Sequence, residues 1–236
     1  MRLGFANERV LAVVAHPDDA ELLCAGTLAR ARKDGAVIAI CVLCQGDNGQ
    51  SGKKVANLAA VRRREMMASA KLLESELFFV GQSDGTLKDD PEARLKLIEV
   101  YRKFKPTLVL AHAPEDYHPD HRAASALAEA ASWFCASRGH RTRSPAVKAQ
   151  PALWWMDTLA MSGFNPDFYI DISEFVGLKT KMLACHRSQL SRGHDADFSP
   201  LGDVMRLQYQ ARGLQAGVEA AEAFCAHSVF KRARAW

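Results

Sequence analysis

The chain is short of most features that would set it apart from ordinary globular proteins. Cysteine is sparse, with six in 236 residues at positions 24, 41, 44, 135, 185 and 225. Most lie inside apolar runs, where a thiol behaves as a small buried hydrophobe, so reduced cysteines in a cytoplasmic protein are expected rather than a disulfide framework. Cys41 and Cys44 form a C-x-x-C, but within a run of strand character at 36–44. Residues three apart on a strand point to opposite faces, which argues against a redox pair or a zinc knuckle. Long hydrophobic runs are missing too: no stretch reaches the roughly eighteen apolar residues of a membrane span, and the first ten residues carry charges without an apolar segment of export-signal length. Neither charge sign dominates. Lys and Arg total 31 against 27 Asp and Glu, giving +4 and a pI of about 8.8. The basic residues are scattered apart from Arg62-Arg63-Arg64 and a tail at 231–234. Without a basic face interleaved with aromatics a nucleic-acid partner is not expected, and a mildly electropositive cleft for a polar or anionic small molecule fits equally well. Internal repeats, low-complexity tracts and long linkers are absent, so residues 1–236 read as a single domain.

Hydrophobic residues make up 48% and charged residues 25% of the sequence, enough apolar material for one continuous core. Strand and helix signals alternate along it. The unbroken apolar run at 10–15 reads as a buried parallel strand, followed by helical spacing over 20–33 and a turn at Asp34-Gly35. The same unit recurs as strand 36–44 and helix 56–73, strand 77–80 and helix 91–104, then strand 107–111 and helix 121–137. After a Pro-containing basic loop come candidate strands at 152–157 and 168–172 and helices over 174–186 and 201–226. This order specifies an α/β, Rossmann-like three-layer domain with a mostly parallel sheet and helices on both faces. Neither G-x-G-x-x-G nor G-x-x-x-x-G-K-[ST] occurs, so the doubly wound pattern carries no nucleotide fingerprint. Trp154 and Trp155 read as packing residues.

Open α/β sheets bind ligands beyond the carboxyl ends of their strands, which directs attention to polar residues just after a strand. Two such places stand out: Ala15-His16-Pro17-Asp18-Asp19-Ala20-Glu21 after strand 10–15, and Asp116-Tyr117-His118-Pro119-Asp120-His121 after strand 107–111. Pro17 fits the first turn of a helix, where residues three apart share a face, so His16 and Asp19 can converge while Asp18 points elsewhere. The second loop has the same three-residue step, His118 to His121, and can supply a third ligand. Three protein ligands with one open position is the composition of a catalytic zinc site. Either motif alone is as readily a helix entry with an Asp cap; two of them after two strands are much harder to explain that way.

These stretches also carry a resemblance. A-H-P-D-D-A-E-L at 15–22, R-R-R-E at 62–65, S-D-G-T-L at 83–87, Y-H-P-D-H-R-A at 117–123, Y-I-D-I-S-E at 169–174 and K-x-x-M-L-A-C-H-R-S-Q at 179–189 resemble, in order, the LmbE/PIG-L family. That family includes the deacetylases of GlcNAc-phosphatidylinositol and of the mycothiol and bacillithiol precursors. The resemblance implies zinc at His16, Asp19 and His121, with ferrous iron a possible occupant in the cell. It also implies Asp18 as general base, His118 meeting the developing oxyanion with Asp120 keeping its imidazole charged and oriented, and Arg62 and Asp84 contacting an N-acetylglucosaminide substrate. An oligomer of identical chains is a further implication. Zinc lowers the pKa of water and polarises a carbonyl, and Asp18 adjoins a ligand, so the chemistry agrees with the assignment. Which of Asp18 and His118 protonates the leaving nitrogen stays open. Another zinc-dependent amidase or esterase, or a non-catalytic sugar-binding protein, are the alternatives. Ala25 and Glu74 stand where the family often has glycine. Asp47 and Asn48, in the loop after strand 36–44, read as turn residues, and His186 as a helix-end cation or packing residue.

Overall fold

The computed structural model describes residues 4–50, 54–192 and 200–229; the basic tail at 231–234 lies outside them. One sheet of seven strands forms the middle layer: β1 (Arg9–Val14), β2 (Val37–Cys44), β3 (Glu76–Gln82), β4 (Leu108–His112), β5 (Ala152–Met156), β6 (Phe168–Asp171) and β7 (Ala221–Ala226), in the order β3-β2-β1-β4-β5-β7-β6. Strands β3 through β5 of that order are mutually parallel, and β7 runs antiparallel to both β5 and β6. The fold is therefore the mostly parallel α/β sheet the alternating pattern predicts.

The side-chain period of two explains the layers. In β1, Val10, Ala12 and Val14 enter one core, while Leu11 and Val13 enter the other. The first core packs α1 (Asp19–Leu23), α2 (Ala25–Lys33), α3 (Leu58–Leu73), α6 (Val176–Leu183) and α8 (Leu201–Ala216); the second packs α4 (Pro91–Phe104) and α5 (Pro119–Phe134). A chain buried on both faces explains why β1, β2 and β4 are almost uninterrupted apolar runs. Trp154 packs against the rings of Phe5, Phe168 and Phe224, as expected of a core residue. No described helix is long and apolar enough to cross a membrane.

Four sequence expectations need correction. The helix expected over 201–226 ends at Ala216, where Gly217 takes φ +71, and residues 221–226 form β7. Ala221-Glu222-Ala223 favours helix locally, but pairing between β5 and β6 overrides that preference. The helix expected over 174–186 is a 3-10 turn at Ser173–Phe175 followed by α6, which ends at Leu183, and a separate short helix α7 (Arg187–Leu190) comes after it. Cys41 and Cys44 lie in the same core cluster, not on opposite faces, because the β2–β3 register shifts between Val42 and Cys44.

The helix expected over 20–33 is also interrupted, at Cys24, whose φ of −146 separates α1 from α2. A buried ion pair fills the break. The Glu222 carboxylate accepts the N–H groups of Gly26 (3.0 Å) and Thr27 (2.7 Å), and Lys179 Nζ donates to Glu222 (2.6 Å) and to the carbonyl of Leu22 (2.9 Å). Strand β7 thus caps α2, while α6 caps the end of α1. A Cβ on Gly26 would stand 2.7 Å from Ile172, so the start of α2 approaches its neighbour as only glycine allows. Glu222→Ala leaves the Lys179 ammonium buried without its partner, and such changes cost about 3–5 kcal/mol. Urea unfolding is expected to show that loss for Glu222→Ala and a smaller one for Glu222→Gln; equal, sub-kilocalorie losses would assign the break to other contacts.

Candidate active site

Strand order reverses between β1 and β4, where β2 and β3 lie to one side and β5 to the other. The loops leaving β1 and β4 therefore part and open a crevice beyond their carboxyl ends. A cleft of about 380 Å³ lies there, its lining including His16, Asp18, Asp19, His118, Asp120 and His121. Both expected motifs meet in it, because each ends a strand of one adjacent pair and begins a helix: α1 at Asp19 and α5 at Pro119.

Asp19 is the centre. Its carboxylate accepts the N–H of His16 (2.7 Å) and lies 3.4 Å from His16 Nδ1, 3.4 Å from His121 Nε2 and 3.3 Å from His112 Nε2. Burial alone would raise its pKa, but the surrounding imidazoles, His121 foremost, hold it well below the ordinary value. The far nitrogen of each expected histidine ligand also faces a carboxylate: His16 Nε2 hydrogen-bonds Asp120 Oδ2 at 3.0 Å, and His121 Nδ1 lies 3.1 Å from Asp116 Oδ1. A carboxylate behind the ring is how metal-ligating histidines are held in one tautomer and orientation. Donor atoms of His16, His118 and His121 gather within 4.8 Å of one another, as do those of Asp19, His112 and His121, and those of His16, Cys44 and Asp120. Nitrogen and carboxylate donors at these separations suit a divalent cation such as zinc.

In His16 burial opposes charge, but the bonds to Asp120 and Asp19 outweigh it and bring the pKa up to about 10. In His121 burial is likewise outweighed, by Asp19 and Asp116, and the pKa rises to about 9. His112, fully buried and beside His121, is instead pushed down to about 4.

Asp18 precedes the ligand and is held apart from it. Its φ of +114 is strained for a residue with a side chain, and its carboxylate caps nothing in α1. Asp18 Oδ2 lies 3.0 Å from Arg62 Nη2. Burial raises its pKa, while the Arg62 guanidinium pulls it back. Arg62 is itself buried, donates to the carbonyl of Pro17, and passes so close to Gly46 that a Cβ there would strike it. It lines the cleft between Asp18 and Asp84, whose Oδ2 lies 3.9 Å from Arg62 Nη1.

The structure corrects the expected role of Asp120. Its carboxylate serves His16 and the N–H of Gly85 (2.7 Å) rather than His118. What orients His118 is backbone: Nδ1 accepts the Asp120 N–H at 3.2 Å as the cap of α5, leaving Nε2 to carry the ring proton. Burial and the neighbouring His16 and His121 lower the His118 pKa, while Asp120 and Asp19 pull it back up. Asp84 lines the cleft but accepts the N–H groups of Gly46 (2.7 Å) and Asn48 (3.3 Å), while Asp47 accepts the Ser83 hydroxyl (2.6 Å) and the Asp84 N–H (2.9 Å). The two loops clasp each other reciprocally, so Asp47 ties its loop to the one after β3, beyond the turn role expected of it.

Other residues have structural parts not visible in the sequence. Glu65 accepts the N–H (2.8 Å) and hydroxyl (2.7 Å) of Ser188, docking the R-R-R-E segment on the H-R-S-Q segment. His186 is wholly buried, 3.3 Å from the Glu21 carboxylate, which Ser69 also bonds. His112 and Asp116 were not singled out. Asp116 stands in the second motif, and a histidine closing a buried strand at the carboxyl edge was the available signal for His112.

Comparison with known proteins agrees with the geometry. Residues 11–132 match the PIG-L family, described as GlcNAc-PI de-N-acetylase. The conserved protein TT1542 from Thermus thermophilus superposes with a TM-score of 0.81 at 30% identity, covering 97% of this chain and 98% of that one. The chain is 27% identical over 192 residues to the diacetylchitobiose deacetylase of Thermococcus kodakarensis, 77% of this chain and 70% of the relative. It is also 27% identical over 192 residues to the 4-oxalmesaconate hydratase of Pseudomonas putida, 78% of this chain and 74% of the relative. The protein belongs to the PIG-L family of de-N-acetylases.

With the pKa values of His16 and His121 raised to about 10 and about 9, both rings are protonated at neutral pH in the metal-free protein. A cation must displace those protons. Zinc uptake at pH 7 is therefore expected to release about two protons, with apparent affinity rising as pH rises toward those values. Calorimetry in two buffers of different ionisation enthalpy counts the protons; uptake without release would contradict the geometry.

Proposed function

We propose that the protein is a cytoplasmic, zinc-dependent hydrolase that removes an N-acetyl group from a GlcNAc-containing small molecule, with His16, Asp19 and His121 holding the metal. The observation that carries this reading is the buried Asp19 carboxylate 3.4 Å from one nitrogen of each histidine, with a carboxylate near the other nitrogen of both rings. Ferrous iron suits the same donors, and metal availability decides between them. When bound, such a cation polarises a carbonyl and lowers the pKa of water.

The chain's own residues supply the rest. Asp18, paired with Arg62 and raised in pKa by burial, takes a proton from the attacking water in this reading. As the water oxygen adds to the amide carbon, negative charge develops on the carbonyl oxygen, and His118 Nε2–H is the donor facing the cleft to meet it. Cleavage of the C–N bond then needs a proton on the leaving nitrogen, from Asp18 or His118, and yields a free amine and acetate. Arg62 and Asp84, both lining the cleft, are the substrate contacts in this reading. A cleft of about 380 Å³ lies in the range of small-molecule sites.

The resemblance to a hydratase supports a second reading, in which the same site adds water to an unsaturated carboxylic acid. Incubation with N,N′-diacetylchitobiose and with 4-oxalmesaconate, each with and without chelator, separates the two. Chelator-sensitive acetate release supports the deacetylase; hydration of the acid without acetate release replaces it. Asp18→Asn is expected to retain the metal and lose about 10²–10⁴-fold in kcat, while Asp19→Ala is expected to lose the metal, as metal analysis of the purified variants will show. Wild-type turnover by Asp18→Asn would remove Asp18 as the base.

A further inference from the structure

We infer that His112 is a positioning residue that holds the three segments bearing the metal ligands in register. The inference rests on the metal site proposed above. His112 ends β4 and has no solvent exposure. Its ring touches each ligand-bearing segment. Nε2 accepts the N–H of Ala15, the residue before His16, at 3.1 Å, and lies 3.3 Å from Asp19 Oδ2. The ring stacks on that of His121, with centroids 4.0 Å apart and planes 17° from parallel.

The ladder explains how one side chain reaches so far. Strands β1 and β4 pair in parallel up to Val13 and Ala111. Beyond that point the backbones part to open the crevice, and the imidazole of His112 takes the N–H of Ala15 in place of a backbone carbonyl. Burying an imidazole costs free energy unless its polar atoms are used. Nδ1 has no hydrogen-bond partner among the described residues, so the one hydrogen bond that His112 makes with its ring is the one at the site. An apolar side chain of similar size would fill the same space, and the nitrogen is what the metal site requires.

The test measures zinc affinity of metal-free protein by competition with a chromophoric chelator, at a temperature where every variant is folded by circular dichroism. Under that condition a loss of global stability leaves the folded fraction near one and does not move Kd. His112→Phe keeps the stacked ring but removes the nitrogen, and its zinc Kd is expected to rise about 10–100-fold, the range found when partners of metal ligands are lost. His112→Gln returns an acceptor near the Nε2 position and is expected to recover part of that loss. Leu97→Ala, which opens the fully buried core under α4, is the stability control and is expected to leave Kd unchanged. A His112→Phe Kd within about two-fold of wild type, far below the expected range, overturns the inference while leaving the metal site intact. So does a Leu97→Ala effect as large as that of His112→Phe. Wild-type protein that takes up no zinc overturns the metal site and this inference with it.

Discussion

A carboxylate almost wholly withdrawn from water dictates the arrangement around it. Asp19 is buried at the mouth of the central strands, where an unpaired negative charge would be prohibitive. Its compensation comes from His16 on its own loop and from His121 across the sheet, while His112 packs beside it. That requires the ends of β1 and β4 to be neighbours, which the reversal of strand order between them provides. It also requires α1 and α5 to begin at the same height, which the two His-Pro-Asp entries provide. The outer carboxylates Asp116 and Asp120 then hold the rings that hold Asp19, and Gly85 holds Asp120. Charge neutralisation at one atom pair thus propagates outward to the loops that form the cleft wall.

The parts of this arrangement set by local pattern were readable in advance. Apolar runs between turn signals mark β1, β2 and β4, and a proline with aspartates after a strand marks the two helix starts. The proposed ligands and base are legible for the same reason, since their chemistry is concentrated in short stretches. What was not legible depends on tertiary contact. Ala221-Glu222-Ala223 is helical by propensity and becomes a strand only because β5 and β6 leave a gap that fits it. The break at Cys24 exists because Glu222 and Lys179, 196 and 157 residues along the chain from the backbone groups they bond, arrive to satisfy it. Asp120 stands beside His118 in sequence, which suggested a pair, but the first turn of α5 aims its carboxylate across the crevice at His16.

The relatives show that the frame does not by itself determine the reaction. One is named for removing acetyl groups and another for hydrating an unsaturated acid, and this chain resembles both to a similar degree. Both reactions add the elements of water to an electrophilic carbon, so both gain from a base beside a polarising cation. The cleft lining also includes Asn48, Tyr117, Leu159, Gln189 and Leu201, which differ in chemistry from its His and Asp residues.

The position of β7 has a consequence for synthesis. Among the described strands β6 pairs with β7 alone, and β5 has its second neighbour only in β7. A chain emerging from the ribosome can assemble the parallel strands β1 to β5 around the ligand loops, but β6 must wait, unpaired, for residues 221–226. The carboxylate that closes the α1–α2 junction arrives in the same six residues. The final clamp on the first two helices is therefore among the last parts of this sheet to be made, and the β5 edge stays exposed to aggregation until residues 221–226 have emerged.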